Sequence, residues 1–422
     1  MKSKPVKMER DGMFMKRKKI TVLLATVIVL ACLPTTIIGQ ENLENPVHPT
    51  YITIGTVRIC TSFSNRLDLR FRNLTDEDIV PLRYMTNVTS LRLSSNQISD
   101  LTPLAYLTNL TELWLEDNPI SDITPLADLT NLTELRLREN RVSDITPLAG
   151  LENLVHLILD GNPISDLTPL AGLTNLEVLR LRYNPVNDLA PLAGLTNLEH
   201  LGIIRSEISD LTPLKSLENL EMLFLSGNQI NDIEPLARLT NLQRLSLFDN
   251  QISDITPLMG LTNLNSLTLD GNQINDITPL AGLVNLEYLL LIANQISDVT
   301  PLAGLANLIW LHLSDNQIND IKPLAYLENL ILLDLGHNEI SDITPLADLK
   351  NLKFLGLAHN EISDIMPLNV LLHLERLFLN NNQISDITPL IGLTNLYRLT
   401  LYENPITDRT PIDHIRAVEG RP

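Results

Sequence analysis

Leu113 and Leu115 flank Trp114, and polar Glu112 and Glu116 stand on either side. An alternation of period two over so few residues predicts a short strand with one buried side. The same phrase returns 22 residues later at Leu135 and Leu137, and it keeps returning down the chain. One unit reads Leu110-Thr-Glu-Leu113-Trp-Leu115-Glu-Asp-Asn118-Pro-Ile120-Ser-Asp122-Ile123-Thr-Pro125-Leu126-Ala-Asp-Leu129-Thr-Asn131. Asn recurs at 96, 118, 140 and on to 404 in steps of 22, interrupted once where Ser206 stands in its place. Asp (100 to 408) and Pro (103 to 411) recur without a gap through fifteen units. A degenerate sixteenth unit precedes them, with Leu69, Phe71, Leu74, Asp78, Pro81 and Leu82 in matching positions.

A lone unit cannot bury its ring of leucines, so the units must stack, each strand beside its copy. Neighbouring strands then lie about 4.8 Å apart, and sixteen of them extend for about 75 Å. After the strand, Asn118 is expected to turn inward, where its carboxamide can satisfy backbone groups and meet the next coil. Ser206 can do only part of this. Thr124 suits a helix N-cap and Pro125 the first helical position. Leu126 and Leu129, three apart, face inward from a single short helical turn. Asp122 precedes Thr124 by two residues, the spacing for a bond from its N–H to the carboxylate. That assigns fifteen Asp residues to structure rather than to metal ligation.

The LxxLxLxxNxI phrase is identified as the leucine-rich repeat, and the 22-residue form with D-I-T-P-L resembles the internalin/SDS22-like subclass. The resemblance implies an α/β-type repeat solenoid. It would be a horseshoe with a long parallel sheet on its concave side and short 3-10 or helical turns on its convex side. Bacterial surface internalins are the nearer comparison because of the N-terminal head. Lys16-Arg17-Lys18-Lys19 precedes an uncharged run from Ile20 to Leu33, the layout of a secretory signal. An uncleaved anchor and a lipid-modified Cys32 are the competing readings of residues 20–38. The expected organisation is a signal or anchor at 1–40, a linker and N-terminal cap at 41–66, repeats at 67–412 and a tail at 413–422. Tyr51-Ile-Thr-Ile54 and Thr56-Val-Arg-Ile59 can pair as the cap. The chain departs from the internalin pattern after the repeats. It shows no helical cap, no immunoglobulin-like domain and no wall-sorting tail, so wall attachment and host invasion are not carried over.

Charge narrows the partners. The chain has 31 Lys+Arg against 50 Asp+Glu, and the head alone holds eight basic residues against two acidic. Residues 41–422 are left with 23 basic and 48 acidic side chains, a net of -25. Phosphate-backbone binding needs Lys and Arg, so nucleic acid is excluded as a partner. With only Cys32 and Cys60, a disulfide framework is excluded too. No nucleophile, base or metal set converges, so the reading is non-enzymatic, without cofactor. His337 and His359 occupy one slot in adjacent units and could share a zinc ion; solvent exposure is the favoured alternative. The sequons at Asn73, Asn87, Asn109 and Asn131 are read as structural, the last three belonging to the repeat's own T-N-L slot.

The informative residues are those the repeat does not dictate, on the outward side of the strands. Tyr288, Leu290, Ile292, Trp310, Leu332 and Phe354 should form one apolar patch, with His312, Phe378, Phe224 and Phe248 on the same face. Such patches mark partner sites, and aromatic anchors dominate binding energy. Earlier on the face Trp114 is the lone large anchor. Arg180, Arg182 and Arg205 there form the least compensated basic cluster, suited to an acidic segment of a partner. The expected function is a protein-binding, and by extension glycan-binding, solenoid that is secreted or surface-exposed and touches membrane only through an uncleaved head. A structural or adhesive surface element is the first alternative. A phosphatase-regulator scaffold, if the head is not a signal, is the second.

Overall fold

The protein is described here from a computed structural model, which covers residues 51–61, 65–412, 415 and the backbone of 417–419. These lie within one compact unit, residues 48–422. The expected signal or anchor, with Cys32, lies outside the described residues. Among the described residues no helix is long and apolar enough to cross a membrane.

The chain enters through an antiparallel hairpin of β1 (Tyr51–Ile54) and β2 (Val57–Cys60), with Ile52 opposite Ile59. Gly55 turns it at φ +55°. A Cβ there would meet Leu74 Cδ2 at 2.7 Å, so the turn needs glycine for both reasons. Ile52, Ile54 and Ile59 are buried and close the first coil of the solenoid.

Then come seventeen parallel strands among the described residues, each three residues long, from Arg66–Asp68 to Ala417–Glu419. Each pairs in register with the strand one unit away, Leu113 opposite Leu91 and Leu135. No ladder joins the first strand to the last, so the sheet is open. The last strand lies in the segment expected to be a tail and pairs with Arg398–Thr400. Inward residues Leu113, Leu115, Leu126 and Leu129 are fully buried, and one continuous aliphatic core runs from the hairpin to Ile415.

The return leg is a 3-10 turn in each unit, Thr124–Leu126 in the unit quoted above. All fifteen Asp residues of the ladder accept the N–H two residues on, at 2.8–2.9 Å. Thr124 is therefore not the cap expected of it. It is the first residue of the turn, and Asp122 satisfies its N–H.

The Asn ladder also differs in direction from the expectation. Asn118 Nδ2 donates to its own Leu115 carbonyl and to Leu93 of the preceding coil, both at 3.1 Å. Its Oδ1 accepts the N–H of Ile98, again one coil back. The side chain ties each coil to the one before, not the next. Ser206 keeps a single link of this kind, its hydroxyl donating to the Asn184 carbonyl at 2.7 Å.

A second difference is a column of left-handed backbone. The residue just before each ladder Asn has φ near +55 to +70° in unit after unit: Asp117, Glu139, Gly161, Tyr183, Arg205, Gly227, His337, His359 and others. Glycine takes this conformation freely, whereas other residues are strained in it. Phe71 falls in the same column with φ 59° and is 75% exposed. It is a turn residue facing solvent, not the core residue that its alignment suggested.

Candidate functional site

The strand fixes which side chains face out. In each three-residue strand from Ser90–Arg92 to Arg398–Thr400 the middle Leu points into the core and its two neighbours lie on the sheet face. In-register pairing lines these neighbours up in columns. The first column reads Tyr288, Trp310, Leu332, Phe354, Arg376, Arg398, and the second Thr268, Leu290, His312, Asp334, Gly356, Phe378. Four large apolar side chains, Tyr288 to Phe354, therefore stand side by side on consecutive strands. None belongs to the core; each is half-buried. Tyr288 and Trp310 meet edge to face at 5.4 Å, and Phe354 and Phe378 meet at 5.2 Å. Leu290 and Ile292 flank the Tyr288 end, both half-buried.

The strip has limits that the sequence did not reveal. Phe224 is cut off from Leu290 by Ser246 and Thr268. Phe248 is separated from Ile292 by the buried carboxylate of Asp270, which accepts the Ile292 N–H at 2.8 Å. His312 sits within 4.0 Å of Asp334. The strip is extended on its other edge by Ile309 and Ile331, the residues just before two of the strands. Neither was anticipated, because the columns were counted from the strand onward. The signal was present: Ile309 and Ile331 occupy a slot that holds Glu, Gln, Asn or Lys in the flanking units.

The earlier part of the face is arranged differently. Trp114 lies between Arg92 and Arg136, whose guanidinium carbons stand 3.7 and 4.1 Å from its ring centre. Its Nε1–H donates to Glu134 at 3.1 Å. Burial raises the Glu112 carboxyl, but the Arg92 guanidinium and the Ser90 hydroxyl outweigh it and leave its pKa below the usual range. The anchor expected here is thus covered on both faces by its own neighbours.

The reading of Arg180, Arg182 and Arg205 as the least compensated basic cluster changes at Arg180. Arg180 is ion-paired to Asp160, a carboxylate only 4% exposed, which also accepts the Arg182 N–H at 2.9 Å. Arg205 lies 5.7 Å from the Tyr183 ring. Arg180 is compensated from beneath, because Asp160 sits one strand away, a proximity that 20 residues of sequence separation conceal.

His337 and His359 stack face to face, 3.9 Å apart and 14° from parallel. Lone pairs in parallel ring planes point alongside each other, not at one ion. Burial, and secondarily the charge of His337, hold His359 below the ordinary imidazole value. The sequon side chains Asn109 and Asn131 use their Nδ2 to hold the Thr86 and Thr108 carbonyls of the preceding coil, at 2.9 and 2.8 Å.

A family model for leucine-rich repeats in two copies matches residues 86–128, 130–172, 174–216, 218–260, 306–348, 328–371 and 372–414. The chain belongs to the leucine-rich-repeat family, whose members act in protein–protein interaction. Within it the chain is internalin-like. It is similar to an internalin (InlF) of Listeria monocytogenes, with 37% identity over 72% of this chain and 90% of that one, at a TM-score of 0.70. A leucine-rich-repeat protein of Leptospira interrogans is 28% identical over 85% of this chain and 96% of its own, at 0.78. The ectodomain of the plant receptor kinase GASSHO1/SCHENGEN3 from Arabidopsis thaliana is 25% identical over 83% of this chain and 46% of its own, at 0.71. No curated protein matches in a sequence comparison.

Proposed function

We propose that this chain is an exported, non-enzymatic binding protein that captures another protein on the outward face of its sheet. The observation that carries the reading is the in-register strip Tyr288–Trp310–Leu332–Phe354. It is contiguous and aromatic-rich, and the stacked core holds it rigid, so little ordering entropy is lost on binding. Export rests on the basic head and apolar run of residues 16–33. The GASSHO1/SCHENGEN3 ectodomain was solved in complex with Casparian strip integrity factor 2, which supports a proteinaceous ligand for this architecture.

The test is capture from extracellular material, comparing the native chain with a Trp310→Ala/Phe354→Ala variant of unchanged melting temperature. A protein retained by the first and lost by the second is the expected result. Equal retention by both would reject the strip as the binding site.

A further inference from the structure

Beside the strip, on the side where the chain enters each strand, runs a groove that meets the strip's edge at Ile309 and Ile331 and does not include its aromatic residues. Two hollows of about 550 Å³ each form it, and they share Glu287 and Asn307. One wall is a row of carboxamides, one per coil, including Asn285, Asn307, Asn329 and Asn351. Each Nδ2 is fixed to a backbone carbonyl of the preceding coil, at 2.8–2.9 Å. No hydrogen bond among the described residues engages their Oδ1 atoms. The wall is therefore a rigid ladder of carboxamides repeating about every 4.8 Å, each with Oδ1 as an acceptor and a second Nδ2–H beside the one already in use. Ile309 and Ile331 line the same hollow as apolar surface, and Glu287 and Lys353 stand toward its opposite ends.

We propose that this groove binds a neutral, linear, hydroxyl-rich polysaccharide, one sugar ring per coil. A wall that offers an acceptor and a donor on every coil selects a ligand whose groups both donate and accept. Hydroxyls meet that need, while the apolar faces of pyranose rings suit Ile309 and Ile331. The spacing decides against an extended peptide, whose same-side N–H groups recur about every 7 Å and fall out of step with the ladder. Charge decides against anionic glycans, since the chain carries a net -19. Lys353 and His373 at one end oppose a polycation. A similar hollow of about 490 Å³ beside Asn131, Asn153 and Asn175 has Thr133, Val155 and Glu177 where this groove has its isoleucines, so it lacks the paired apolar surface.

The test is calorimetric titration of the full chain with β-1,4-linked hexasaccharides of glucose, xylose and N-acetylglucosamine. At least one binds, with affinity that rises from trimer to hexamer and is unchanged by salt. Ile309→Arg/Ile331→Arg weakens it at least tenfold, whereas Ile309→Leu/Ile331→Leu preserves it. Trp310→Ala/Phe354→Ala leaves it within twofold, which separates this groove from the protein-binding strip. Absence of binding by all three sugars at millimolar concentration would overturn the proposal, as would undiminished binding by the arginine variant. Oligolysine binding abolished by the arginine variant, with no sugar bound, would overturn it in favour of a basic partner.

Discussion

Trp114 and Trp310 are the two tryptophans of the chain, and both face outward from the same kind of strand. The neighbourhood of Trp114 supplies Arg92, Arg136 and Glu134, which cover the ring and take its N–H. That of Trp310 supplies Tyr288 and Leu332, which widen the apolar surface. Identical coils thus make opposite uses of an aromatic side chain. One is packed among charged neighbours, and the other among apolar ones. Trp114 ends its strand and Trp310 begins its own, so the difference resides in the slot each fills and in the residues that the repeat leaves free around it.

The first prediction separates inner from outer faces. Leu113→Ala and Leu311→Ala each remove a fully buried side chain and should each cost about 2–5 kcal/mol in denaturant melts. Unequal losses would mean the two regions differ in their core as well. The second exchanges the outer residues. Trp310→Ala should weaken partner affinity by about 2 kcal/mol, roughly thirtyfold, with little change in melting. Trp114→Ala should leave affinity alone and lower stability by about 1–2 kcal/mol, since it strips three cation–π contacts and exposes neighbouring like charges. Parallel binding and melting curves check both.

Third, Ser206→Asn lies between the two regions and restores the missing carboxamide. It should raise stability by about 1 kcal/mol, and a melting temperature that falls would show that the coil there is set for serine. The smallest effect per residue is acid sensitivity, which should be the same in both regions. The hydroxyl and then the N–H of the following Thr hold Asp122, Asp144, Asp298 and Asp342 below the ordinary carboxylate value. A pKa depressed by folding means that the ionised form stabilises. The contribution is complete above about pH 4 and fades as pH falls through the folded values. Melting temperature should drop below pH 4, and a flat profile would contradict the bonds.

The solenoid was legible because every constraint is repeated fifteen times. Leu113 and Leu115 declare the strand, and Asp122 before Thr124 declares the turn. What escaped was information that repetition does not carry. The left-handed column is filled by Tyr183, Arg205 and His337 as well as by glycine, so composition gives no hint of it. The Arg180–Asp160 pair and the covering of Trp114 depend on contacts across strands between variable residues. The strip was visible from its side chains alone, but its breaks at Asp270 and Asp334 and its extension to Ile309 and Ile331 required the register.

The most direct test uses the two tryptophans as reporters. In Trp114→Phe protein the emission comes from Trp310, and in Trp310→Phe protein from Trp114. Adding the captured partner should shield Trp310 from acrylamide quenching and leave Trp114 unchanged. Shielding of Trp114 with Trp310 still open to the quencher would contradict the assignment of the binding face.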